Sequence, residues 1–158
     1  MHPEIQAAYS VALRYLAMRE YSEVELRNKL LGRALDAIAV DSAMELLKHY
    51  GYLSDARYAE AFLRARMKRG ETPWLAAEKA RQKGVDEAAL SNALQATLDD
   101  EDGGYHPREA CIALLHKRDP QGARHSDTRV WQRQARYLRN KGFDASTIVD
   151  VLNRKNEE

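Results

Sequence analysis

The residues best placed to do chemistry in this chain are cations. At about 100° per residue on a helix, Arg57, Arg64 and Lys68 fall on one side of the segment 54–69, with Phe62, Leu63 and Met67 around the rest. Arg129, Arg133, Arg136 and Asn140 form a second stripe on the segment 127–141, while Trp131, Ala135 and Leu138 take a different, apolar side. A guanidinium offers planar, bidentate contacts to carboxylate and phosphate. Two such stripes with few acids interleaved suit an acidic protein face or a nucleic-acid backbone.

Reactive chemistry finds no comparable constellation. The five histidines (His2, His49, His106, His116, His125) lack metal-ligand spacing with one another or with Cys111. There is no glycine-rich phosphate loop and no nucleophile elbow. The carboxylate run 99–102, followed by Gly103 and Gly104, has the composition of a solvated linker. Cys111 is the single cysteine, forms no internal disulfide, and reads as a small buried hydrophobe. The chain is expected to be no enzyme, to need no cofactor and to hold no metal.

Composition agrees with a binding role. Hydrophobic residues are 44% and charged residues 31% of 158, too apolar for a disordered chain. No apolar run approaches the roughly 18–20 residues that span a bilayer, and Met1-His2-Pro3-Glu4 has neither part of a signal peptide. No membrane contact and a reducing, cytoplasmic location are expected. Formal net charge is only +1, but it is segregated. Eight basic residues face four acidic ones between Ser54 and Gly84, eight face two between Lys117 and Lys141, and Asp86 to Asp102 holds six acids and no base.

The elements that must carry these stripes are helices, announced by how they begin. Ser22 and Glu25 make a capping box, with Tyr21 and Leu26 as its hydrophobic staple. The staple recurs with Leu53-Ser54 and Tyr58, Val85-Asp86 and Leu90, and Phe143-Asp144 and Ile148; Thr72-Pro73 marks a further start. Gly51, Gly84 and Gly142 stand where a helix ends in left-handed geometry, each followed by an apolar residue able to fold back. The eight named aromatics at staple or core spacing (Tyr15, Tyr52, Tyr58, Phe62, Trp74, Trp131, Tyr137, Phe143) are expected to pack.

Aligning these signals exposes a repeat: Lys83-Gly84-Val85-Asp86 with Leu90 and Leu94 matches Lys141-Gly142-Phe143-Asp144 with Ile148 and Leu152. Nine helices in three groups are predicted, at 5–18, 22–32 and 36–50, then 54–69, 73–83 and 87–98, then 105–117, 127–141 and 145–154. The fold class is therefore all-α, three tandem three-helix-bundle repeats in an elongated, curved array, with boundaries at 1–53, 54–102 and 103–158. The segment 99–104 reads as an acidic hinge, and 119–126, with Pro120 and Gly122, as a flexible insertion.

The stretch Ala12-Leu13-Arg14-Tyr15-Leu16-Ala17-Met18-Arg19-Glu20-Tyr21-Ser22-Glu23-Val24-Glu25-Leu26-Arg27-Asn28-Lys29-Leu30 resembles the opening signature of the RecX family of bacterial recombination regulators. So does Gly51-Tyr52-Leu53-Ser54-Asp55-Ala56-Arg57-Tyr58-Ala59, followed by Phe62, Arg64 and Arg66, and so does Gly70-Glu71-Thr72-Pro73 leading to Lys83-Gly84-Val85. The likeness spans essentially the whole chain and is strongest from Ala12 to Leu94. One departure is that the family usually shows Gly-x-Gly-Pro where this chain has Thr72 before Pro73.

The resemblance implies three tandem three-helix units and a protein that binds the RecA recombinase. It would lie in the groove of the RecA–single-stranded DNA filament and restrain filament growth, ATPase, strand exchange and co-protease activity, with consequences for DNA repair and the SOS response. Arg57, Arg64, Lys68, Arg129, Arg133 and Arg136 are the residues expected to meet RecA, with weak direct DNA contact, and the protein is expected to be a monomer. The alternative is a direct DNA-binding helical-repeat protein, since three-helix units resemble helix-turn-helix modules.

Overall fold

The computed structural model describes residues 1–99 and 103–155. Among them the secondary structure is nine α-helices and one 3-10 turn, with no strand. The helices are α1 (Pro3–Met18), α2 (Glu23–Leu31), α3 (Ala37–His49), α4 (Asp55–Lys68), α5 (Pro73–Gln82), α6 (Glu87–Leu98), α7 (Pro107–Arg118), α8 (Thr128–Asn140) and α9 (Ala145–Asn153); the turn is Ala123–His125. Half of the acidic hinge, from Asp100 to Asp102, lies outside the described residues. No helix among them is long and apolar enough to cross a membrane.

The helix starts follow the chemistry of their caps. Ser22 Oγ accepts the Glu25 amide at 3.1 Å while Glu25 Oε1 accepts the Ser22 amide at 3.3 Å, closing the box. Ser54, Thr72, Asp86 and Asp144 each accept from the amide three residues on. Every expected staple is buried: Tyr21 with Leu26, Leu53 with Tyr58, Val85 with Leu90, Phe143 with Ile148. α1 begins two residues earlier than its sequence suggested, because His2 Nδ1 accepts the Glu4 amide and Pro3 occupies the first turn.

The chain divides into two compact units, Met1–Arg64 with Ala77–Gln95, and Ala65–Ala76 with Ala96–Glu158. In the first, α1 packs chiefly on α3. Ala8 and Ala12, one helical turn apart and fully buried, let the two axes approach. Leu26, Leu30, Val40 and Leu47 complete that core, each leucine contributing about 1.5–3 kcal/mol by leaving water. In the second unit α7, α8 and α9 enclose Cys111, Leu115, Leu138, Val151 and Leu152.

One carboxylate fastens the first unit. Asp55 Oδ1 accepts the Glu23 amide and Oδ2 the Asp86 amide, both at 2.8 Å, so a single buried side chain serves the starts of α2 and α6. Glycines do the complementary work where helices end. Gly84 (φ +79°) closes after α5 against Val24, at the start of α2; a β-carbon on it would come within 3.2 Å of Val24. In the second unit Gly142 (φ +100°) closes after α8 in the same way, against Thr72 and Leu75 at the start of α5. Thr72, just before Pro73, donates its amide to the Lys141 carbonyl at 2.8 Å. Its hydroxyl accepts the Leu75 amide and donates to the Gly142 carbonyl.

Two expectations are corrected. The segment 119–126 is not a flexible insertion. Asp119 accepts the amides of Ala123 and Arg124, and the buried Arg124 guanidinium bonds Asp119 and the carbonyls of Leu152 and Arg154. Nor do all the aromatics pack: Tyr52 is 53% exposed, whereas Trp74, at 45%, still packs edge to face on Tyr105 with ring centroids 5.6 Å apart. After Gly51 it is Leu53 that folds in; the Tyr52 amide still bonds the Leu47 carbonyl, but its ring stays out.

Candidate functional site

Burial and pairing sort the cations into those that hold the fold and those left exposed without an internal ion pair among the described residues. On α4, Arg57 is only partly available, because its Nε lies 3.0 Å from Glu20 Oε1. Arg64 and Lys68 are exposed, and among the described residues no ion pair engages either side chain. Arg66, the neighbour the sequence stripe passed over, turns inward to the buried Glu71 at 3.4 Å. The first stripe is thus present with one of its three members partnered.

The second stripe is cleaner. Arg129, Arg133 and Arg136 are exposed on α8, and among the described residues none makes a side-chain ion pair or hydrogen bond. α8 itself contains no carboxylate between Thr128 and Asn140. Its opposite side is pinned by Leu138 and by Gln134, which accepts from Arg118 Nε at 3.3 Å. Arg118 also lies 3.8 Å over the Tyr137 ring, and Lys141 5.5 Å from it. Of the basic residues between Lys117 and Lys141, then, Arg124 serves the interior of the unit and the exposed Arg118 braces Gln134 and Tyr137, whereas Arg129, Arg133 and Arg136 do neither.

One arginine was missed. Arg139 is exposed on α8 and borders, with Arg136, an apolar groove between α8 and α9. Its signal lies in the sequence: at about 100° per residue it falls between the stripe and the apolar side, where a strict stripe excludes it. The groove edge needs α9 in place and could not be read from α8 alone.

Cys111 is fully buried, and burial, with a smaller contribution from Asp144, pushes its thiol up to about 12. A thiol so placed is a core hydrophobe and not a nucleophile. No cluster of three or more histidines, cysteines or carboxylates among the described residues has the arrangement to hold a metal ion.

Three family models match the chain in order: the first three-helix domain of RecX over residues 8–47, the second over 54–94 and the third over 108–152. A protein of Halorhodospira halophila named regulatory protein RecX is 34% identical over 143 residues, which is 90% of this chain and 84% of that protein. One of Chromohalobacter salexigens with the same name is 34% identical over 141 residues, covering 89% and 88%. The crystal structure of RecX from Lactobacillus salivarius superimposes with a TM-score of 0.73 at 21% identity, covering 94% of each chain. That likeness places the fold.

Proposed function

The chain belongs to the RecX family of regulatory proteins, and on that premise we propose that it restrains the RecA recombinase by binding RecA assembled on single-stranded DNA. The observation that carries the reading is the α8 strip. Arg129, Arg133 and Arg136 stand together with no internal counter-ion among the described residues and no acid on their helix. Exposed arginines without a carboxylate partner keep their bidentate donors for an acidic protein face or a phosphate. Arg64 and Lys68 on α4 supply a second contact of the same kind, and Arg57 a weaker one because Glu20 already holds it.

The mechanism needs no bond-making step. A protein that binds one state of a polymer more tightly than another shifts the polymer toward that state by the difference in affinity. Restraint of ATP hydrolysis and filament growth then follows from binding alone.

The test is RecA ATPase on single-stranded DNA, titrated with this protein below stoichiometry. The wild type lowers the rate, and the triple reversal Arg129→Glu, Arg133→Glu and Arg136→Glu shifts the titration by about tenfold or more, the sum of several exposed charge contacts. Unchanged restraint by the triple variant, with helicity intact, removes α8 from the site. Tight binding to bare duplex without RecA, falling steeply with salt at a slope of about −0.9 per phosphate contacted, would replace this reading with direct DNA binding.

A further inference from the structure

The groove beside Arg136 has chemistry that a cation strip does not need. Between α8 and α9 lies an opening of about 450 Å³ whose floor is Trp131, Phe143, Ile148 and Val149, and whose rim carries Arg136 and Arg139. Phe143 and Ile148 belong to the core of the unit, Trp131 is half-buried, and Val149 is 46% exposed. Trp131 is held in place by its indole Nε1, which donates to Asn153 Oδ1 at 3.0 Å. The floor is therefore a fixed apolar surface, set by a helix pair whose other side is packed.

We infer that this groove receives a short acidic protein segment that carries at least one large apolar side chain. Charge complementarity chooses the occupant. Both rim residues are arginines, no acid lies among the groove's lining residues, and the strip Arg129, Arg133, Arg136 runs along the same helix. A second copy of this chain is a poor fit, since the helices α8 would present like charges to one another. A basic or neutral segment would leave the rim without partners. A segment with carboxylates on either side of an aromatic or leucine satisfies both the floor and the rim, in the manner of an apolar anchor set in a polar border. The inference rests on the regulatory reading for its choice of a protein partner. It adds to that reading a pocket of defined specificity.

The test uses the full chain with Trp74→Phe, so that emission reports Trp131 alone of the two tryptophans. The probe is a labelled peptide of aspartates flanking a central Phe-Leu pair, compared with the same peptide carrying Ser-Ser at the centre and with one carrying lysines for the aspartates. The aspartate–Phe-Leu peptide is expected to bind and to shift Trp131 emission. Its affinity should fall about tenfold with Val149→Asp, and again with the pair Arg136→Gln and Arg139→Gln, while Lys83→Glu leaves it unchanged. Equal binding of the Ser-Ser peptide would reduce the groove to the electrostatics of the strip and overturn the proposal; so would binding of the lysine peptide. The two readings fail separately. A wild-type protein without effect on RecA ATPase defeats the regulatory one, whereas peptide binding indifferent to Val149→Asp defeats the groove.

Discussion

Arg124 Nη1 stands 3.0 Å from Asp119 Oδ2 with both side chains almost wholly buried, 2% and 5% exposed. Burial alone would raise the Asp119 carboxyl, but the Arg124 side chain and the amides of Arg124 and Ala123 outweigh it and hold the group below the ordinary aspartate range. A group depressed on folding stabilises the fold at pH values above its unfolded value, about 3.9. That contribution is lost as the pH falls through the lower folded value. Arg124→Met should cost about 3–5 kcal/mol at neutral pH, because it strands a buried carboxylate. Asp119→Asn should be destabilising at pH 7 and less so at pH 3, where the unfolded chain's carboxyl is already protonated. Urea unfolding followed by circular dichroism at the two pH values measures both; equal deficits for Asp119→Asn at each would show that the pair is not charged.

The two bonds from Asp55 to the amides of Glu23 and Asp86 are charge-assisted, and each is worth about 1.5–3 kcal/mol. Asp55→Ala should therefore cost roughly 3 kcal/mol or more. Hydrogen exchange at the amides of Glu23 and Asp86 should accelerate together, ahead of the amides of α8. Independent behaviour of those two amides would mean that the shared carboxylate is not what couples them.

Gly51 and Gly142 make a matched pair of substitutions. Both have positive φ, +80° and +100°, but a β-carbon on Gly51 meets nothing, whereas one on Gly142 would run into the Thr72 hydroxyl and lie 2.8 Å from Leu75 Cβ. Gly51→Ala should cost only the left-handed backbone term, about 1 kcal/mol. Gly142→Ala should cost clearly more. Thermal melts of the two variants decide it, and equal losses would mean that the chain gives way at Thr72.

Cys111 should be silent toward a thiol reagent at pH 8 in the native protein and react only as its unit opens, since it is buried and its thiol is pushed up to about 12. The labelling rate then becomes a gauge of opening for the α7–α9 core. Gly142→Ala should speed it. Labelling of native protein at the rate of a free thiol would show that the core does not cover the residue.

On α4 the ion pair with Glu20 separates Arg57 from Arg64. Arg64→Glu should weaken restraint of RecA ATPase more than Arg57→Gln does, because the exposed pair with Glu20 is itself worth only about 0–1 kcal/mol and already occupies the Arg57 guanidinium. The reverse order would make Arg57 the contact and Glu20 merely its rest position.

The helices were legible because their signals are local. Ser22 with Glu25, or Asp144 with Thr147, are decided within one turn, and so are the glycines that end α3, α5 and α8. What escaped was long-range. Nothing near Arg124 says that its guanidinium will bond the Leu152 carbonyl, and a loop holding a proline and a glycine looked loose without that bond. Arg57 shared its stripe with Arg64 on helical geometry, and only the fold brings Glu20, 37 residues away, to its side. The α8–α9 groove was hidden for the opposite reason. Trp131 and Ala135 carry the pattern of core residues, and the pattern does not tell how much of their surface the next helix will cover.

The place taken by Val24 at the start of α2 and by Trp74 at the start of α5 is held on α8 by Arg129, each the third residue of its capped turn. On α2 and α5 that first turn receives a glycine corner from the following helix group, Gly84 in one case and Gly142 in the other. On α8 that place carries an exposed charge, whereas an apolar residue there would invite a head-to-tail contact from a neighbouring molecule. A hydrated charge at that spot makes such a contact costly, because it would have to give up its water.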